Sequence, residues 1–106
     1  MNTSKRKRLE AAGWRVGTAA DFLGLSSEEE LYVEIKLALA DAVRARRAKL
    51  GLTQAALATR MRSSQSRVAK LEAGDRTVSI DLLVHALVRM GATRQQLARV
   101  LSSRAA

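Results

Sequence analysis

From about residue 26 onward, apolar positions recur at helical spacing, and most runs open on a hydroxyl side chain and close on a glycine. The first helix is predicted to start at Ser26 or Ser27. Both Ser26-x-x-Glu29 and Ser27-x-x-Glu30 have capping-box spacing, and Glu28, Glu29 and Glu30 complement the positive end of the helix dipole. It runs to about Leu50 with Leu31, Ile35, Leu39, Ala42, Val43 and Leu50 as one inward stripe, and Gly51 supplies a left-handed stop. Thr53 caps a short helix whose Leu57, Ala58 and Met61 share a face. Ser64 caps a third, with Val68 and Leu71 inward and Gly74 at its end. Ser79 opens a fourth, with Leu83, Ala86, Leu87 and Met90 at i, i+3, i+4 and i+7 before Gly91. Thr93-x-x-Gln96 is a further capping box, followed by Leu97, Val100 and Leu101. Five closely spaced helices thus fill residues 27 to about 102.

The first 25 residues have a different pattern. Residues 1–13 are polar and basic without helical periodicity and are expected to be a mobile arm without structure. Trp14-Arg15-Val16 alternates like a short strand, and Thr18 to Leu23 suits one or two helical turns stopped at Gly24. The chain therefore divides into an N-terminal segment, 1–25, and a helical domain, 26–106. Composition supports helices. Hydrophobic residues are 47% of the chain but aromatics only 3%, and with Pro 0 and Gly 6 the punctuation of an all-β fold is missing. All three aromatics, Trp14, Phe22 and Tyr32, fall in the first third, so the two segments are expected to have different tasks.

Charge narrows the function. Lys+Arg 19 against Asp+Glu 10 gives a net +9, which fits a polyanionic partner. With Cys 0 and one histidine, His85, there is no thiolate zinc site, no cysteine nucleophile and little for acid–base chemistry. No metal, cofactor or enzymatic activity is expected, and His85 reads as an ordinary helix residue. No apolar run approaches the roughly 20 residues of a membrane span, and Lys5 to Arg8 leads into no apolar stretch of a secretory signal. A cytoplasmic protein is the expectation.

The short helices after Thr53 and Ser64, joined around Arg62 and Ser63, have helix-turn-helix spacing. At about 100° per residue, Gln65, Ser66, Ala69, Lys70 and Ala73 share the arc opposite Val68 and Leu71. Such an arc is either a solvated face or a readout surface for the major groove. In the second case Gln65 suits an adenine edge, Lys70 guanine acceptors and Ser66 several bases, while Ala69 leaves room or meets a thymine methyl. Arg60, Arg62, Arg67, Lys70 and Arg76 outweigh Glu72 and Asp75, 5 − 2 = +3 over residues 52–76, and suit phosphates. The helix start at Thr53 offers N–H groups to a further phosphate.

Leu52-Thr53-Gln54-Ala55-Ala56-Leu57-Ala58 and Ser64-Gln65-Ser66-Arg67-Val68-Ala69-Lys70-Leu71-Glu72-Ala73-Gly74 resemble the Xre/Cro type of phage-repressor helix-turn-helix, over about residues 40–101. The resemblance implies an all-α, five-helix DNA-binding domain behind an N-terminal arm. It implies that Gln54 braces a phosphate and Gln65, and that Arg47 and Glu72 form a partly buried structural salt bridge. DNA contacts fall on Thr53, Gln54, Arg62, Ser64, Gln65, Ser66, Arg67, Lys70 and Arg76. The chain departs from the family in the turn, where Arg62 stands for the usual glycine and Ser63 for an apolar residue. A left-handed Arg62 costs roughly 1 kcal/mol, so an altered turn is one expectation. Residues 13–25, from Gly13-Trp14-Arg15-Val16 to Leu25, with Glu34-Ile35-Lys36-Leu37-Ala38-Leu39, are similar to small HigA-like antitoxins. That resemblance implies neutralisation of a RelE/HigB-type mRNA-cleaving toxin and autorepression. The alternative is a stand-alone prophage-type repressor. Trp14, Val16, Phe22, Leu23 and Tyr32 are the candidate toxin-binding anchors, although Phe22 and Leu23 equally suit the chain's own core. The Lys5–Arg8 run suits toxin, phosphate or water. A homodimer on operator DNA is expected, with Leu97, Val100 and Leu101 forming its contact or completing the monomer core.

Overall fold

The computed structural model describes residues 3–12 and 27–102. Among them are six α-helices and no strand: α1 (Thr3–Ala11), α2 (Ser27–Lys49), α3 (Gln54–Arg60), α4 (Gln65–Ala73), α5 (Ile80–Arg89) and α6 (Arg94–Ser102). The five helices expected beyond residue 26 are α2 to α6. The strand-like and helical readings of residues 14–23 lie outside the described residues.

The caps form as their spacing predicts. Thr53, Ser64 and Ser79 accept the backbone N–H three residues on, at 3.0, 3.1 and 3.1 Å. The box before α6 is reciprocal: Gln96 N–H donates to Thr93 Oγ1, and Gln96 Oε1 accepts from Thr93 N–H. At their C-termini, α2 to α5 all stop the same way. A residue in the left-handed region follows the helix, and its N–H and the next one bond back to the last carbonyls. Three of these residues are glycines and the fourth is Arg62. At Gly74 (φ 67°) space is also limiting, because a Cβ would lie 2.9 Å from Leu37 Cδ2 on α2.

Helix α2 crosses α4, α5 and α6, and α3 packs on α4. Leu39, Val43, Leu57, Val68 and Leu71 are fully buried between them, and the four predicted inward residues of α5 and its cap, Leu83, Ala86, Leu87 and Met90, are buried as well. At the far end Arg46 Nε donates to Met90 O (2.8 Å) and Nη1 to Gln96 Oε1 (3.2 Å), joining α2 to the α5–α6 junction. Leu97 and Val100 pack partly buried against this core, whereas Leu101 is exposed.

Two expectations are corrected. The arm over residues 1–13 contains a helix, α1, with Leu9 and Ala12 buried and Arg8 paired by both terminal nitrogens to Asp41 on α2. Nine residues are too few for an independent helix. Docking therefore holds α1, which is why no periodicity announces it. The second correction concerns the α2 stripe. Leu31 (57%) and Leu50 (46%) are exposed, while Val33, Lys36, Leu37 and Ala40 are buried. A single stripe presumes one covered side; α1 covers a second, and Leu9, Val33, Leu37 and Ala38 form their own cluster there.

The implied Arg47–Glu72 bridge is present. Arg47 Nε and Nη2 both donate to the Glu72 carboxylate, the latter at 2.9 Å, and Nη1 donates to Leu52 O, also at 2.9 Å. The hydrogen bonds to Glu72 hold the guanidinium still more firmly protonated than usual. Glu72 is 4% exposed. Glu72→Ala is expected to lower the unfolding free energy by about 3–5 kcal/mol by stranding Arg47, measured by urea denaturation. A loss below about 1 kcal/mol, the surface-pair value, would mean the bridge is solvated.

Candidate nucleic-acid interface

The site is built on α4 and the turns at its two ends. Val68, Leu71 and Glu72 face inward, which fixes the roll of the helix about its axis. Gln65, Ser66, Ala69, Lys70 and Ala73 are exposed on the other side, as the angular spacing predicts, and Arg67 is exposed beside them. Ser64 uses its hydroxyl as the cap of α4 and remains exposed at the rim. The helix therefore projects an amide, a hydroxyl and an ammonium separated by methyl groups. That arrangement can approach base edges closely and hydrogen-bond them.

Beside the first turns of α4 lies a cleft of about 300 Å³, lined by Ser64, Ser66, Arg67, Lys70, Thr77, Val78 and Leu82. The cations Arg67 and Lys70 and the hydroxyls of Ser64 and Ser66 line it, a donor set suited to a phosphate. Helical periodicity does not single out Thr77, although the Asp75-x-Thr77 spacing is a local signal for it. Thr77 N–H and Oγ1 both donate to Asp75 Oδ1, at 2.9 and 2.6 Å, and fold the loop back on itself. Those two bonds, helped by Lys70 and Lys36, hold the Asp75 carboxyl below its ordinary range.

The predicted contacts divide into groups. Gln65, Ser66, Arg67 and Lys70 lie together on α4; Arg62 is exposed in the turn before it and Arg76 in the loop after it. Thr53 is exposed at the start of α3 with its hydroxyl committed to the cap. Gln54 is half-buried, and its amide donates to Glu72 Oε1 at 3.3 Å, which joins it to the Arg47–Glu72 pair and not to Gln65. Of the candidate toxin anchors, Tyr32 is exposed (47%) near the start of α2; Trp14, Val16, Phe22 and Leu23 lie outside the described residues. His85 is exposed on α5 with Nε2 3.7 Å from Asp81.

The turn resolves the question raised by Arg62. It is the one non-glycine with positive φ (53°) among the described residues. Arg62 N–H bonds to Thr59 O (3.1 Å) and Ser63 N–H to Ala58 O (2.8 Å), the usual geometry for a glycine stop. The turn is therefore kept and the side chain carries the strain.

Residues 43–84 match the helix-turn-helix family, from Val43 in α2 to Val84 in α5, less than half of the chain but all of the α3–turn–α4 unit. No curated protein and no solved structure matches. The match supports an Xre/Cro-like domain and, with the exposed face of α4, a DNA-binding transcription regulator. Among the described residues no helix is long and apolar enough to cross a membrane.

Arg62→Gly is expected to separate folding from binding. Relief of the left-handed strain, roughly 1 kcal/mol, equals or exceeds the added chain entropy of glycine, about 0.5–1 kcal/mol. The melting temperature should therefore hold or rise while affinity for duplex falls. Thermal denaturation and mobility-shift titration test the two halves, and a lower melting temperature would contradict the strain assignment.

Proposed function

We propose that this protein is a sequence-specific DNA-binding antitoxin. It binds its operator as a symmetric homodimer, with one α4 from each copy in the major groove, and neutralises a RelE/HigB-type mRNA-cleaving toxin through its N-terminal third. The observation that carries the DNA half is the solvent-facing arc of Gln65, Ser66, Ala69 and Lys70 beside the cationic cleft. Gln65 and Lys70 read bases, while Arg62, Arg67 and Arg76 hold phosphates one register to either side. The toxin half is supported by the exposed Leu31 and Tyr32 at the start of α2, apolar side chains with no part in the α4 face. They continue the aromatic segment that begins at Trp14. The protein works by binding and performs no catalysis.

A stand-alone repressor would use the same α4 face and have no toxin, so the two readings separate on one experiment. The chain is co-expressed with the product of the adjoining reading frame and purified. Antitoxin function predicts a stable complex and rescue of growth, both weakened by Tyr32→Ala with operator binding unchanged. Operator binding without any captured partner would leave the repressor reading. Within the DNA half, Gln65→Ala is expected to cost about 1–3 kcal/mol at its cognate base pair and to relax discrimination there. Arg67→Ala should weaken all sequences alike and reduce the salt slope by about one unit. Equal losses on every sequence for Gln65→Ala would place it on the backbone instead.

A further inference from the structure

Arg76 is held by its backbone from two directions. Its N–H donates to Ala12 O, just past the end of α1, at 3.0 Å, and its carbonyl accepts from Lys36 Nζ on α2 at 3.1 Å. A loop residue with both main-chain groups bound to distant parts of the chain keeps one position, and its exposed side chain leaves from a fixed point. The rest of the loop is tied equally short. Gly74 backs onto Leu37, Val78 N–H bonds to Asp75 O, and Thr77 is folded onto Asp75.

Lys36 is a costly residue for this place. It is 2% exposed, and burial pulls its ammonium below the ordinary value, with Asp75 only partly restoring it. An apolar side chain would fill the same space without desolvating a charge. What an apolar residue cannot do is donate to the Arg76 carbonyl. We propose that Lys36 and the docked α1 are positioning elements of the DNA interface, fixing the 74–78 loop so that Arg76 meets a backbone phosphate beside the α4 cleft. This assignment rests on the DNA-binding reading. It makes the N-terminal helix part of the DNA-binding unit and places the Ala12 anchor directly before the candidate toxin segment. A partner that drew α1 away from α2 would release Arg76 as well.

The test is a double-mutant cycle on the full-length chain, read by mobility shift on a mixed-sequence duplex at low ionic strength. Lys36→Met and Arg76→Ala are each expected to weaken binding about fivefold to tenfold, the scale of roughly one phosphate contact. If Lys36 acts through Arg76, the double variant binds no more weakly than either single one. Unchanged binding by Lys36→Met, or losses that multiply as they would for an independent charge, overturns the assignment. If circular dichroism shows Lys36→Met unfolded, the same cycle is run with Leu9→Ala, which loosens α1 without altering charge, and is judged by the same outcomes. Amide exchange on the wild-type chain is an independent check: the Arg76 N–H should be protected, and fast exchange there overturns the proposal. A wild-type chain that shifts no duplex fails the DNA-binding reading itself, whereas a normal wild-type shift that these variants do not reduce fails the positioning role alone.

Discussion

The carboxylate of Glu72 is the point through which the helix-turn-helix is assembled. It receives two donors from Arg47 on α2 and one from Gln54 on α3, while its own backbone belongs to α4. Arg47 also reaches Leu52 O and closes the loop between α2 and α3. One partly buried ion pair therefore sets the relation of three helices and a loop. An isolated buried charge would be strongly unfavourable, and its pairing and hydrogen bonds make this arrangement tolerable. Directional contacts of this kind add something the aliphatic core around Val43, Leu57 and Val68 lacks, because apolar packing alone accepts small rotations of one helix over another. A tilt of α4 moves every side chain that faces the groove.

The turn between α3 and α4 shows the same priority of geometry over local comfort. Arg62 adopts a conformation that glycine would adopt without strain, and the two backbone hydrogen bonds that define the stop are both made. The strain is local, and it leaves an exposed cation in the turn that precedes α4. At the opposite end, Gly74 has no such latitude, since Leu37 occupies the space that a side chain would need. The two left-handed residues bounding the site thus have opposite reasons for their identity, one in exposed surface charge and the other in close packing.

Much of this was legible in the chain itself. The hydroxyl caps at Thr53, Ser64 and Ser79 and the Thr93–Gln96 box are local signals, made within four residues, and they located α3 to α6 well. The α4 face followed from angular spacing because Val68 and Leu71 leave only one roll. The Arg47–Glu72 pair was reached by resemblance and not by spacing. What escaped was non-local. Helix α1 has one leucine and no periodic stripe, and its order comes from Leu9 and Arg8 meeting α2 far along the chain. Missing α1 also misplaced the buried side of α2, hence the expectation for Leu31, and hid Lys36, whose hydrogen bond to a backbone carbonyl carries no sequence signature. Thr77 lay between these cases, since its Asx-type spacing is local but easily passed over.

Helix α4 is divided lengthwise between attachment and display. Val68, Leu71 and Glu72 fasten it to the body, and the side chains at 65, 66, 69 and 70 take no part in that fastening. Changing the displayed set therefore leaves the scaffold's own contacts intact, so a duplicated gene could acquire a different operator by a few substitutions. A body of this design is conservative inside and interchangeable outside, and closely related copies could coexist in one cell without answering to each other's promoters.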